Sequence, residues 1–355
     1  MAKKGYVAYV SSYTVGSGTD YGIRVYDVDV KKGRLSEKEA VRITNSSYIT
    51  ISRSRKNLYS ITDAGLESYS IGEDGSLTFL NEASIHGMRG CYLSCSRDDK
   101  YLFCAGYHDA KITVLSIKKS GAIGEITDEV YHKGLGMTAG RNFLPHVQCV
   151  KMTRDNKFLL ACDLGMDRII IYRFNHETGK LKEIDAIHSD QESAPRHMQF
   201  SKDGKYLYVV HEQSCEIGVY EYKLGKDDMP EFEEIQMIST TDEKEIHGNV
   251  ASALTKSQDY HYYISSNVGE NTVSVYTADQ KTGLLTMNLC LPVAGQYPKD
   301  AILFPDNKHL VSLNHESNTM TFFAVDMEKG TLVMNGPEIK VDQPNCIIFH
   351  ELGRA

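Results

Sequence analysis

One motif recurs along this chain: a small residue, a short charged turn, then a strand that opens on Lys-x-Leu or a close equivalent. It reads SRSRKNLYSI from Ser52, SRDDKYLFCA from Ser96, TRDNKFLLAC from Thr153 and SKDGKYLYVV from Ser201. It returns loosely as TKSQDYHYYIS from Thr255 and again as FPDNKHLVSL from Phe304. Strands of alternating apolar residues follow, among them KITVLSI, RIIIYRF, EIGVYEY, TVSVYTA and TMTFFAV. Each unit then turns at a glycine, at positions 33, 75, 121, 179, 283 and 330. The long gap between 179 and 283 holds GKDDMPEF where one more turn belongs. With that slot counted there are seven units, and four short strands per roughly fifty residues is the pattern of a propeller blade. Helical periodicity is nearly absent, which argues against doubly wound and helical-repeat folds.

The ends specify how the ring closes. YVAYVSSYT, near the N-terminus, matches the second strand of the other units, and no first strand precedes it. QPNCIIFHE, residues 343–351, matches a first strand with nothing after it; APRHMQFSK is its counterpart. The expected fold is therefore all-β: a seven-bladed β-propeller over residues 1–355, a single domain, with the C-terminal strand completing blade one so that no sheet edge stays open.

Composition narrows the partners. The chain has 355 residues, 41% of them apolar, with 22 Tyr and 11 Phe that suit strands. Its net charge of -8 is spread along the sequence, so a basic face for nucleic acid or anionic membrane is not expected. No window approaches 18 consecutive apolar residues and no signal peptide is read at the N-terminus. Eight cysteines lie mostly in strand-like runs without a CxxC pair, which predicts reduced thiols and a cytoplasmic location.

Candidate chemistry centres on SAPRHMQFSKDGKYLYVVHE, residues 193–212. Arg196 lies eight residues before the turn glycine Gly204 and Glu212 eight after it. This spacing predicts a register-opposed pair at one end of the central channel. As a partly hydrated ion pair it is expected to add only about 0–1 kcal/mol to stability. Five residues beyond each second-strand Leu, or its equivalent, stand Asp63, Tyr107, Leu164, Glu212, Val268 and His315. Five residues before the small turn residue stand Gln148 and Arg196, with Lys299 in the corresponding place in YPKDAILF. His146 comes two residues before Gln148. One rim of the channel should then gather Arg196, Lys299, His146, Glu212, Tyr107 and His315, a cationic set in an acidic protein and suited to a small anionic substrate. His197 is expected to turn away from Arg196 into its blade. GLGMTAGRNF, residues 134–143, lacks the Gly-Lys-Ser/Thr ending of a phosphate loop and reads as a blade connection. No GxSxG, HExxH or ligand-spaced cluster is present, so neither a metal nor another cofactor is expected.

The repeat, with PRHMQFSKDGKYLYVVHE and DLGMDRIIIY, resembles the seven-bladed lactonase family over the whole chain. That family includes a bacterial type of 6-phosphogluconolactonase and the fungal carboxymuconate-lactonising enzymes. The resemblance implies that Arg196 and Glu212 belong to an active site that needs no metal. Two positions depart from the family. Its Pro-His-x-His reads PHVQ here, which puts Gln148 where a His is usual, and Val268 stands where another Arg is common. His146 and Lys299 lie close enough in sequence pattern to supply the missing groups. The expected protein is a lactone hydrolase acting on an anionic sugar-acid lactone such as 6-phosphogluconolactone. Arg196 would hold a carboxylate or oxyanion, Glu212 would orient or deprotonate water, and His146 would carry a proton. Gln148, Lys299, Tyr107 and His315 would bind substrate. The alternatives are a muconate-type lactonising enzyme and a non-catalytic propeller that binds a small anion.

Overall fold

The computed structural model describes residues 5–134, 144–242 and 248–353. Seven antiparallel sheets follow one another along these residues, each built from four strands in simple up-and-down order. The seventh carries one short extra strand, Ile339–Lys340. Neighbouring inner strands touch all the way round, from blade one through blade seven and back, so the sheets form a closed ring.

Closure occurs in blade one. Its inner strand is Pro344–Glu351, which pairs antiparallel with Tyr6–Ser12 from Tyr6↔Glu351 to Ser12↔Pro344. The outer strands Ile23–Asp29 and Arg34–Val41 complete that sheet. The two chain ends thus share one blade, as the orphan strands predict.

The turn glycines do what the repeat requires of them. All six adopt positive φ, from 59° at Gly33 to 88° at Gly121. Gly283 also faces a steric demand: a Cβ there would lie 2.3 Å from the Tyr206 ring of the preceding blade. In blade five the glycine of the turn, Gly225, keeps a negative φ of -82°, and Asp227 and Asp228 take positive φ of 58° and 61° instead. Aspartate tolerates the left-handed region better than most residues, so the irregular slot is still a turn.

Adjacent blades grip one another through phenols. The hydroxyls of Tyr9, Tyr101 and Tyr208 donate to the carbonyls of Gly75, His176 and Gly283, at 2.8, 3.0 and 3.0 Å. Between the sheets the alternating apolar faces interlock; Phe103, Phe158, Leu160, Met198 and Tyr220 form one cluster across blades three to five. The large Tyr content has its explanation here, since a ring can fill the gap between sheets while its hydroxyl ties the next blade.

Candidate active site at one mouth of the channel

The inner strands do not run straight. In blade five Pro195 pairs with His211 and His197 with Val210, so Arg196 is an extra residue with no partner in the ladder. The same one-residue bulge falls at Gln148 in blade four, Lys299 in blade seven and Asn345 in blade one. A bulge re-aims a side chain that a regular strand would commit to one sheet face. Three of these bulges follow a shared local pattern, x-Pro-x. The residue before the proline is left-handed in each: Ala194 at φ 60°, Tyr297 at 59° and Gln343 at 36°. Backbone in this sparsely populated region is held only where its surroundings fix it. At Ala194 they do so through its N–H to Asp167 Oδ1 at 2.8 Å and its carbonyl from Glu212 N–H at 2.7 Å.

This geometry corrects the register-opposed reading of Arg196 and Glu212. They are not cross-strand partners; the bulge brings them together. Arg196 Nη1 donates to Glu212 Oε2, and Nε donates to the Ser252 carbonyl of blade six at 2.9 Å. Burial disfavours the charge on Arg196, but Glu212 overrides it and holds the guanidinium pKa above its ordinary value. Glu212 is 1% exposed, so the pair is not the hydrated surface contact its sequence spacing suggests.

Around this pair lies a cavity of 390 Å³. Arg89 and Lys299 add two cations to it, and Tyr13 lies between them: the Arg89 guanidinium is 4.7 Å and the Lys299 ammonium 5.0 Å from its ring centroid. Arg89 is also held by Asp63 at 3.1 Å. Lys299 is pushed down to about 8, first by burial and then by the charges of Arg196 and Arg89. Gln148, Tyr107, Cys91, Ser252, Tyr297 and Val268 complete much of the wall. Charge complementarity therefore favours an anionic ligand with a polar body.

Two expected residues stand back from the wall. His146 stacks on Tyr107 with ring centroids 4.2 Å apart and planes 8° from parallel, and its Nδ1 lies 2.9 Å from the Tyr107 carbonyl. Its backbone is tied down by Asp163, whose Oδ1 accepts the His146 N–H at 2.8 Å. The other oxygen of Asp163 meets His132 Nδ1 at 2.6 Å, and Tyr172 closes that buried chain at 2.9 Å. His315 packs against the rings of Tyr13 and Tyr297, and burial followed by Lys299 lowers it to about 4, so it is neutral near pH 7.

His197 departs from its expected place. Its ring lies 5.3 Å from Tyr92 of blade three and 6.3 Å from Tyr48 of blade two. It reaches into the channel rather than the blade, because the bulge at Arg196 rotates the residues after it. Tyr48 and Tyr92 also pack on each other, with centroids 4.3 Å apart. GLGMTAGRNF lies outside the described residues except for Gly134.

Arg89, Tyr13 and Tyr297 escape the spacing rules because they sit in connections rather than strands. Cys91, Ser47 and Ser252 do not: each is five residues before the small turn residue of its blade, the position of Gln148, Arg196 and Lys299. Carried round the ring, one rule finds six wall residues. Among the described residues no group of three His, Cys, Asp or Glu converges as a metal site, and no helix is long and apolar enough to cross a membrane.

The sequence profile of a family described as Lactonase, 7-bladed beta-propeller, matches residues 7–349. A curated 6-phosphogluconolactonase of Bacillus subtilis (strain 168) is 30% identical over 97% of this chain and 98% of its own. Among solved structures, a candidate 6-phosphogluconolactonase from Bacteroides fragilis NCTC 9343 superposes with a TM-score of 0.86 at 28% identity, covering 98% of both chains. The periplasmic gluconolactonase PpgL of Pseudomonas aeruginosa reaches 0.89 at 23% identity over 98% of this chain and 99% of its own, a likeness of fold.

Proposed function

Because the chain belongs to the seven-bladed β-propeller lactonase family, we propose that it hydrolyses the ester ring of an anionic sugar-acid lactone, with 6-phosphogluconolactone the best match to its cavity. The observation that supports this most is the convergence of Arg89, Arg196 and Lys299 with one buried carboxylate, Glu212, in a single cavity. A phosphorylated lactone has two places where negative charge must be met: the phosphate, present throughout, and the carbonyl oxygen, where charge develops during attack.

Lys299 and Arg89 hold the phosphate. Arg196, already oriented by Glu212 and the Ser252 carbonyl, faces the developing oxyanion, a task that favours a donor fixed before reaction. Glu212 orients the attacking water. The water oxygen bonds to the carbonyl carbon, the ring C–O bond breaks, and the departing oxygen takes up a proton. The carboxylic acid formed then releases its proton to solvent. Gln148 and Tyr107 contact the sugar, and His146 acts through Tyr107, whose ring it fixes. His315 serves as backing for Tyr13 and Tyr297. All eight cysteines are free and only Cys91 and Cys290 are not fully buried, which supports work in a reducing, cytoplasmic compartment.

The Lys299 assignment predicts a pH dependence. Lys299 is charged below about 8 and neutral above it. Two groups facing it titrate elsewhere: Glu212 holds Arg196 above its ordinary value, and burial pushes Cys91 up to about 12. The KM for a phosphorylated lactone should therefore rise several-fold as pH passes upward through about 8, and Lys299→Arg should flatten the rise. Initial rates from pH 6.5 to 9.5, corrected for spontaneous ring opening, measure this. A KM that stays flat in the wild type, or an equal rise in Lys299→Arg, contradicts the assignment.

A further inference from the structure

The channel has a second mouth, whose cavity shares no lining residue with the site above and has Tyr48 and Tyr92 in its wall. This second cavity has a volume of 280 Å³ and is lined in part by Arg53, Lys151 and Lys256. The repeat itself supplies Arg53 and sets two more arginines close behind it. In blades two, three and four the small turn residue is followed by an arginine: Arg53, Arg97 and Arg154. The aspartates of the same turns are used locally. Asp98 Oδ1 accepts the Ser96 hydroxyl at 2.7 Å, Asp155 accepts that of Thr153 at 2.5 Å, and Asp99 takes the N–H groups of Arg53 and Ser54, both at 2.6 Å. The acids of the turn motif are thus taken up by hydrogen bonds to the turns themselves.

Those bases lack counter-charges. The arginines found in ion pairs among the described residues are Arg24, Arg42, Arg55, Arg89 and Arg196, none of them at this mouth. Lys151 and Lys256 meet an amide and a phenol instead; burial raises the Tyr260 phenol, but Lys256 and Arg154 together lower it to about 8. Lys151 Nζ donates to Gln199 Oε1 at 2.9 Å, while Lys256 Nζ lies 3.7 Å over the Tyr260 ring. Arg154 sits 5.0 Å from the same ring. Arg97 Nη1 is buried with no hydrogen-bond partner. Lys151 is pushed down to about 8 by burial, with the charges of Arg53, Lys256 and Arg154 adding to it. The lining holds one carboxyl, Asp300, whose two oxygens accept the N–H groups of Ala301 and Ile347 at 2.9 and 3.0 Å. Crowded cations with a spare buried donor cost free energy unless something negative joins them.

We propose that this second mouth is a binding site for a small polyanion, separate from the lactone site and independent of it. Its chemistry is that of a compact phosphate or polycarboxylate, matched to arginine and lysine donors. The modest volume suits a small molecule, and the overall charge of -8 disfavours nucleic acid.

Calorimetric titration with inorganic pyrophosphate, at about 150 mM salt to screen diffuse attraction, tests it. Arg53→Gln, at an exposed position, and Lys256→Met should each weaken one binding event by about tenfold or more. Lys299→Met, in the other mouth, should leave that event unchanged. Citrate in place of pyrophosphate tells whether phosphate or carboxylate is preferred; tight binding of either supports the site. Pyrophosphate affinity that is intact in Arg53→Gln and Lys256→Met, or binding that disappears in Lys299→Met alone, overturns the proposal. So does the absence of any saturable binding at this salt in the wild type.

Discussion

Arg196→Met should cut turnover of a cognate lactone by at least roughly a hundredfold, and Glu212→Gln should do the same. This is the scale expected when a charge-stabilising or water-orienting group is removed. Stability should separate the two variants. Glu212 is buried and Arg196 is 16% exposed on its side chain. Arg196→Met strands a buried carboxylate, which costs about 3–5 kcal/mol, well above the value for a surface pair. Glu212→Gln leaves a guanidinium that still reaches the wet cavity, and should cost less. Arg196→Met/Glu212→Gln removes both charges, so it should recover much of the lost stability while being little slower than either single variant, because the pair acts as a unit. Denaturant unfolding and steady-state rates on the three proteins decide this. A double variant as unstable as Arg196→Met with near-normal turnover would assign the pair to folding alone.

Deleting residues 344–355 should produce an insoluble chain. The strand Pro344–Glu351 is not an ornament on a finished ring. Ile347 and Phe349 are buried against Ala8 and Val10 of blade one and Val311 and Leu313 of blade seven. Its backbone is latched from the side as well, with the Ile347 N–H bound to Asp300 and Asn345 Nδ2 to the Ser46 carbonyl at 3.2 Å. Without it, Tyr6–Ser12 becomes a bare edge at a gap in the ring, a ready template for pairing between chains. Phe349→Ala, which keeps the strand, should cost about 3–5 kcal/mol but leave a soluble ring. A soluble, monomeric truncated protein with an unchanged melting temperature contradicts this account of closure.

The fold was legible because the blades repeat the same physical demands: a turn that needs positive φ, two strands that alternate and, in blades two to six, a hydroxyl-bearing residue to cap the turn. Even the irregular blade obeyed, with Asp227 and Asp228 doing the work of a glycine. The site was legible only in part. Spacing found Arg196, Lys299 and Gln148, since they share one place in the repeat, but it missed that this place is a bulge. A period-2 reading cannot see an inserted residue, and so it set Arg196 opposite Glu212 and turned His197 into the blade. Arg89, Tyr13 and Tyr297 come from connections, which vary between blades and carry no periodic signal. His146 shows the converse: its sequence position is near the site, yet its ring is spent on Tyr107.

The central claim is that one mouth of this propeller opens an anionic sugar lactone. The direct test is ring opening by the wild-type protein, followed by pH indicator in chelator-containing buffer, on 6-phosphogluconolactone and on the unphosphorylated gluconolactone. The account predicts saturable catalysis of the phosphorylated lactone, with a kcat/KM at least about tenfold higher than for the neutral one, as expected when two cations hold a phosphate. Rates no faster than spontaneous opening for both lactones would contradict it.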